Sequence, residues 1–140
     1  MIQANELRIG NYVYYKKDRN YYDIRALCRD RVHPINIVEH DGNIRYAIDC
    51  TLEDLQPIPL TPEILESCGA KKEDDYLILD MQIIQLAYDL SEKKITFDLY
   101  ADFHLEPFEI ECNYLHQLQN LYFALTGEEL KINLNVATSI

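Results

Sequence analysis

The chain has 140 residues, 48% of them apolar, and a net charge of −11. That length suits one domain or two small lobes, and the apolar content excludes wholesale disorder. No apolar run approaches the roughly 18 residues that span a bilayer, and the opening segment lacks the basic cluster and apolar stretch of a signal peptide, so the expectation is a cytoplasmic protein with no membrane partner.

Leu7, Ile9, Val13 and Tyr15 fall on one face of an extended segment, with Arg8, Tyr12 and Tyr14 opposite, which predicts a first strand. A polar turn over 16–20 leads to a second strand over 21–28. Segments 35–40 and 43–48 flank Asp41-Gly42, a pair that accepts the positive φ angles of a tight hairpin turn. These elements predict a small N-terminal barrel-like sheet over 1–58, in an order compatible with an SH3-like barrel. The stretch Leu55-Gln56-Pro57-Ile58-Pro59-Leu60-Thr61-Pro62 is the seam, because its prolines remove ladder donors. Thr61 then suits a helix N-cap, Pro62 its first turn and Gly69 its left-handed stop, so a short linking helix is expected over 62–68.

The second lobe, 59–140, resumes with strands over 76–80, 83–90, 95–100 and 105–112, spaced as an antiparallel meander. A last helix over 114–126 has Asn113 as its expected N-cap and Gly127 as its stop. Tyr114, Leu115, Leu118, Leu121, Tyr122 and Leu125 fall within an arc of about 120° on that helix. This amphipathic stripe is expected to cover the meander. The fold class is therefore α+β, with the two lobes packed as one unit.

No motif for chemistry emerges. The glycines at 10, 42, 69 and 127 serve turns and caps rather than a phosphate loop. Cys28, Cys50, Cys68 and Cys112 are far apart, without the local CxxC pairs of a zinc site, and read as reduced, buried thiols. His33, His40, His104 and His116 are scattered and read as surface histidines. Glu73-Asp74-Asp75 lacks the alternation of a cation loop and reads as a solvated loop. No catalytic residue, metal or cofactor is expected.

Charge is unevenly distributed. Between Arg8 and Arg31 there are seven basic residues against three acidic ones; from Lys71 onward there are five against thirteen. The basic stretch is also aromatic, with Tyr12, Tyr14, Tyr15, Tyr21 and Tyr22 among its cations. Such a mixture suits stacking of bases and neutralisation of phosphates, and equally the docking of a protein, for which tyrosine and arginine are favoured anchors. The candidate contacts are Arg8, Tyr12, Tyr14, Arg19, Arg25 and Arg45. Phe123 joins them because it lies on the polar side of the last helix, beside His116, Gln119 and Asn120, where it needs cover from its own chain or a partner.

Three segments carry a resemblance: Asn5-Glu6-Leu7-Arg8-Ile9-Gly10-Asn11-Tyr12-Val13, the seam from Leu55 to Thr61, and Tyr114-Leu115-His116-Gln117-Leu118-Gln119-Asn120-Leu121-Tyr122-Phe123-Ala124-Leu125-Thr126-Gly127-Glu128-Glu129-Leu130. Together they resemble a family of small uncharacterised proteins of Bacteroidetes genomes, their prophages and their phages. The resemblance implies a mobile-element setting and no particular activity. The functional expectation is a non-enzymatic protein-interaction module, with self-association through the Phe123 face as one form of it. The alternative is a nucleic-acid-binding accessory protein using the N-terminal lobe, disfavoured by the acidic remainder of the chain.

Overall fold

The computed structural model describes residues 2–17, 19–27, 31–36, 50–101, 104–108 and 110–134. Among these residues it is an α+β fold with two five-stranded antiparallel sheets and two α-helices. The chain divides into one unit of Met1–Pro59 with Tyr114–Asn120 and another of Leu60–Asn113 with Leu121–Ile140.

The first unit opens on a 3-10 turn at Ala4–Glu6, followed by β1 (Tyr12–Tyr15), β2 (Asn20–Leu27), β3 (Arg31–Asn36), β4 (Cys50–Thr51) and β5 (Leu55–Gln56). Its sheet order is β4-β3-β2-β1-β5, and a 3-10 turn at Leu52–Asp54 joins the two edge strands. Alternation along β1 sends Val13 and Tyr15 inward, where they join Ile2, Leu7, Tyr22, Ile24, Cys50 and Leu55 in one core. Tyr15 and Tyr22 meet edge to face, with ring centroids 5.4 Å apart. The expected first strand is shorter than its alternation suggested. Gly10 adopts φ +97° and Ile9 is exposed, so regular pairing starts at Tyr12. Among the described residues this sheet keeps two edges rather than closing into a barrel. The expected Asp41-Gly42 hairpin lies outside the described residues.

The second unit begins with α1 (Pro62–Ser67). Thr61 Oγ1 accepts from the Ile64 amide at 3.3 Å, and Pro62 occupies the first turn. Gly69, at φ +96°, ends the helix: its amide donates to Glu66 O, and the Ala70 amide donates to Leu65 O. The strands β6 (Lys71–Glu73), β7 (Tyr76–Asp80), β8 (Ile84–Asp89), β9 (Lys94–Ala101) and β10 (His104–Phe108) form a meander in the order β10-β9-β8-β7-β6. Leu77, Leu79, Met81, Leu86 and Phe97 are buried. β6 replaces the start of the expected solvated loop: Glu73 pairs with Tyr76 across Asp74-Asp75, and Asp74 takes a left-handed φ of +53°. The turn after β8 forms where expected. The Asp89 carboxylate accepts from the Ser91 hydroxyl and from the Ser91 and Glu92 amides.

The last helix, α2 (Leu115–Thr126), starts one residue later than the expected Asn113 cap implies. Gln117 Oε1 accepts from the Tyr114 amide at 3.2 Å, the return half of a capping box. At the other end Gly127 adopts φ +74° and donates to Phe123 O. Leu115 and Leu118 are fully buried, whereas Leu121 and Leu125 are half-buried.

Candidate functional site

Three places in the fold gather the chemistry-bearing side chains. The first is the outer face of the first sheet. Antiparallel register places Tyr14 opposite Tyr21 and Tyr12 opposite Asp23, while Gln56 of β5 lies opposite Tyr14. Tyr14 and Tyr21 meet edge to face at 5.9 Å, both half-buried, so each ring keeps part of its surface in water. Burial, aided by neighbouring Tyr14, holds the Tyr21 hydroxyl above its usual pKa, and it stays neutral at physiological pH. A bulge between Ile24 and Ala26 displaces Arg25, whose Nε lies 2.8 Å from Asp23 Oδ2. Lys16, Lys17 and Arg19 are exposed in the β1–β2 turn, with Arg19 in the left-handed region at φ +57°. The tyrosines named by the sequence thus separate: Tyr12, Tyr14 and Tyr21 line this face, and Tyr15 and Tyr22 fill the core.

The second place is a polar clasp between the segment Glu6 to Tyr12 and the first half of α2. The Gln119 amide behaves like a strand residue, with Nε2 donating to Gly10 O at 3.0 Å and Oε1 accepting from the Tyr12 amide at 2.7 Å. Asn120 Nδ2 donates to Glu6 O at 2.8 Å, and its Oδ1 accepts from Arg8 Nε and Asn11 Nδ2. Arg8 reaches further, to Ile9 O and Gln119 O at 3.4 Å each. Asn11 Oδ1 takes the Arg8 amide at 2.7 Å.

His116 is fully buried beside this network, contrary to the surface histidine expected. Its Nε2 is 3.4 Å from Glu6 Oε2, its ring stacks on Tyr114 at 6.0 Å, and neither ring nitrogen has a hydrogen-bond partner among the described residues. Burial lowers its pKa, against the opposing pull of Glu6, so the ring is neutral at physiological pH. The seam also joins this region: Leu115 donates to Ile58 O at 2.8 Å, and Pro59 bridges to Tyr114. The sequence reading missed the clasp. Its signal was the paired amides Gln119-Asn120 on the otherwise polar side of a helix carrying a buried leucine stripe.

The third place is a cavity of about 560 Å³ in the second unit. Lys71, Glu73, Ile78, Leu79, Asp80 and Gln85 line it from the sheet; Tyr122 and the run from Glu128 to Lys131 line it from α2 and the chain beyond. Cys68 also borders it, but burial pushes its thiol up to about 12, and Cys112 likewise, so neither supplies a thiolate nucleophile at neutral pH. No three His, Cys, Asp or Glu side chains gather as metal ligands among the described residues.

Of the residues named by the sequence, Tyr12 and Tyr14 share one face, to which the bulge brings Arg25. Arg8 belongs to the clasp, Arg19 stands on the turn, and Phe123 is exposed on α2. Arg45 lies outside the described residues. No described helix is long and apolar enough to cross a membrane. No protein-family model, curated protein or solved structure matches the chain.

Proposed function

We propose that the protein is a non-enzymatic interaction module that docks another protein on the tyrosine face of its first sheet. One observation carries this reading. Tyr14 and Tyr21 offer a partly exposed aromatic pair, while the guanidinium groups of Arg8 and Arg25 are already engaged by Asn120, backbone carbonyls and Asp23. Rigid tyrosines beside arginines whose donors are already engaged suit a mixed apolar and hydrogen-bonding protein segment better than a polyphosphate. An SH3-like course of the first sheet belongs to the same reading, supported by the 3-10 turn that links its edge strands. So do a C-terminal helix covering the meander, a cytoplasmic phage or prophage setting, and pairing of two copies through the exposed Phe123.

A second reading, single-stranded nucleic-acid binding, draws on Lys16, Lys17 and Arg19 beside the tyrosine pair. One design separates the two. A random peptide library is selected on the wild-type protein, and a labelled mixed-sequence single strand is titrated at two salt concentrations, each repeated with Tyr14→Ala. The docking reading expects convergent peptides that Tyr14→Ala releases, and weak strand binding that the substitution leaves unchanged. Micromolar strand binding at 150 mM salt, lost in Tyr14→Ala together with roughly 1–3 kcal/mol, overturns it.

A further inference from the structure

We propose that the partner docked on the tyrosine face is a second copy of this chain, which lays the tip of its β6–β7 hairpin there. Self-docking rests on the reading of that face as a docking surface and gives it a partner. The receiving surface lies at the β1–β2 turn. Tyr14 and Tyr21 pair one register step inside that turn, with part of each ring in water. Lys16 and Arg19 on the turn are exposed and form no ion pair with another described residue, whereas Lys17 lies 3.8 Å from Asp54. The inserting surface is the hairpin tip, where Glu73 pairs with Tyr76 across Asp74-Asp75. All four tip residues are exposed, and the three carboxylates form no ion pair with another described residue. Tyr76, at 43%, is the one exposed ring among the tyrosine side chains described.

The tip therefore offers a ring and three carboxylates where the face offers two rings and two cations. The wider charge distribution runs the same way. The second unit holds five lysines, no arginine and fifteen carboxylates, whereas the rest of the chain is almost balanced. Repulsion between two chains of net charge −11 is screened beyond about 8 Å at physiological salt, so the contacts at the tip decide. Edge-to-face ring packing supplies the apolar part of the contact, and the ion pairs fix its orientation more than its strength. Because unlike surfaces meet, each bound copy still presents one surface of each kind, and association runs head to tail.

Sedimentation equilibrium of the full chain, at up to about 1 mM protein to reach a weak contact, tests the match. The average mass of the wild type should rise with concentration past that of a dimer. Lys16→Glu with Arg19→Asn spoils the receiving surface, and Asp74→Asn with Asp75→Lys spoils the tip. Asparagine suits the left-handed backbone at both 19 and 74, so the turns survive the test. Each double variant alone should associate at least about tenfold more weakly than the wild type. Their equimolar mixture should regain association and stop at a 1:1 dimer, because one variant brings only an intact tip and the other only an intact face. A monomeric wild type, association that neither variant weakens, or a mixture that recovers nothing each overturns self-docking. If peptide selection still yields Tyr14-dependent binders in that event, the docking reading of the face stands without it; if selection also fails, the reading falls with it.

Discussion

Both units hold a five-stranded antiparallel sheet, yet they recruit their strands differently. In the second unit every strand lies beside its sequence neighbour, and the hairpins β6–β7, β7–β8 and β8–β9 are closed by short local turns. In the first unit β5 returns to the far side of β1, and the loop before β1 is held by Gln119 and Asn120, more than 100 positions later in the chain. The contrast extends to charge, nearly balanced in one and strongly acidic in the other. A meander needs only local turn chemistry and alternation. A sheet with a returning strand needs partners supplied from far along the sequence, and here buried amides supply them.

The comparison breaks most visibly in the cores. Phe97 is almost fully buried in β9, and Phe97→Ala should cost roughly 3–5 kcal/mol. Chemical denaturation read by amide exchange should show the β7–β9 amides losing protection. A cost below about 1 kcal/mol would mean that the meander does not depend on this ring.

Next comes the clasp. Gln119→Ala leaves Gly10 O and the Tyr12 amide without their partner, and an unsatisfied buried backbone group costs about 1–3 kcal/mol. Protection should fall at Tyr12 and Ile24, whose neighbourhood the clasp orders, while the β7–β9 amides keep theirs. Uniform loss across both sheets would remove the distinction between a locally closed sheet and one held from a distance.

The same distinction decides what could be read in the sequence. Asp89 with Ser91, Thr61 with Pro62, and the glycines at 69 and 127 act within four residues of themselves, and their turns and caps lie where the sequence places them. Alternation likewise separated Val13 and Tyr15 from Tyr12 and Tyr14. Lys71–Glu73 escaped because an edge strand exposed on both faces carries no hydrophobic period. His116, Gln119 and Asn120 escaped for the converse reason: on a helical wheel they form a polar face, and only the distant Glu6–Tyr12 backbone makes that face an interior. Of the candidate site, the outward tyrosines were legible; the engagement of Arg8 and Arg25 was not, because their acceptors are fixed by tertiary contact and by a bulge.

A smaller effect sharpens the local side of the comparison. Thr61 caps α1 through Ile64, and Thr61→Ala should cost about 1 kcal/mol, with Thr61→Ser recovering most of it. A loss above about 2 kcal/mol would show that the seam before α1 carries more than a cap. Circular dichroism during thermal melting is sufficient to measure it.

The smallest expected effect is a change of slope, and it reports on the clasp. His116 is buried as a neutral ring, and desolvation lowers its pKa below the ordinary value of 6.5 despite the opposing pull of the nearby Glu6 carboxylate. The unfolded chain therefore binds a proton at this site more readily than the folded one. Stability is fully expressed above about pH 6.5 and declines as the pH falls through that value toward the lower folded pKa. The sign is opposite to that of a histidine stabilised by its carboxylate, so it discriminates between burial and the Glu6 contact as the dominant influence. Denaturation midpoints of wild type and His116→Asn, compared between pH 7.5 and pH 5.5, should show a steeper loss in the wild type. Glu6→Gln should steepen it further, because it removes the group that favours the protonated ring. A wild-type protein that gains stability relative to His116→Asn as the pH falls would place the Glu6 contact ahead of burial and recast the clasp as an ion pair.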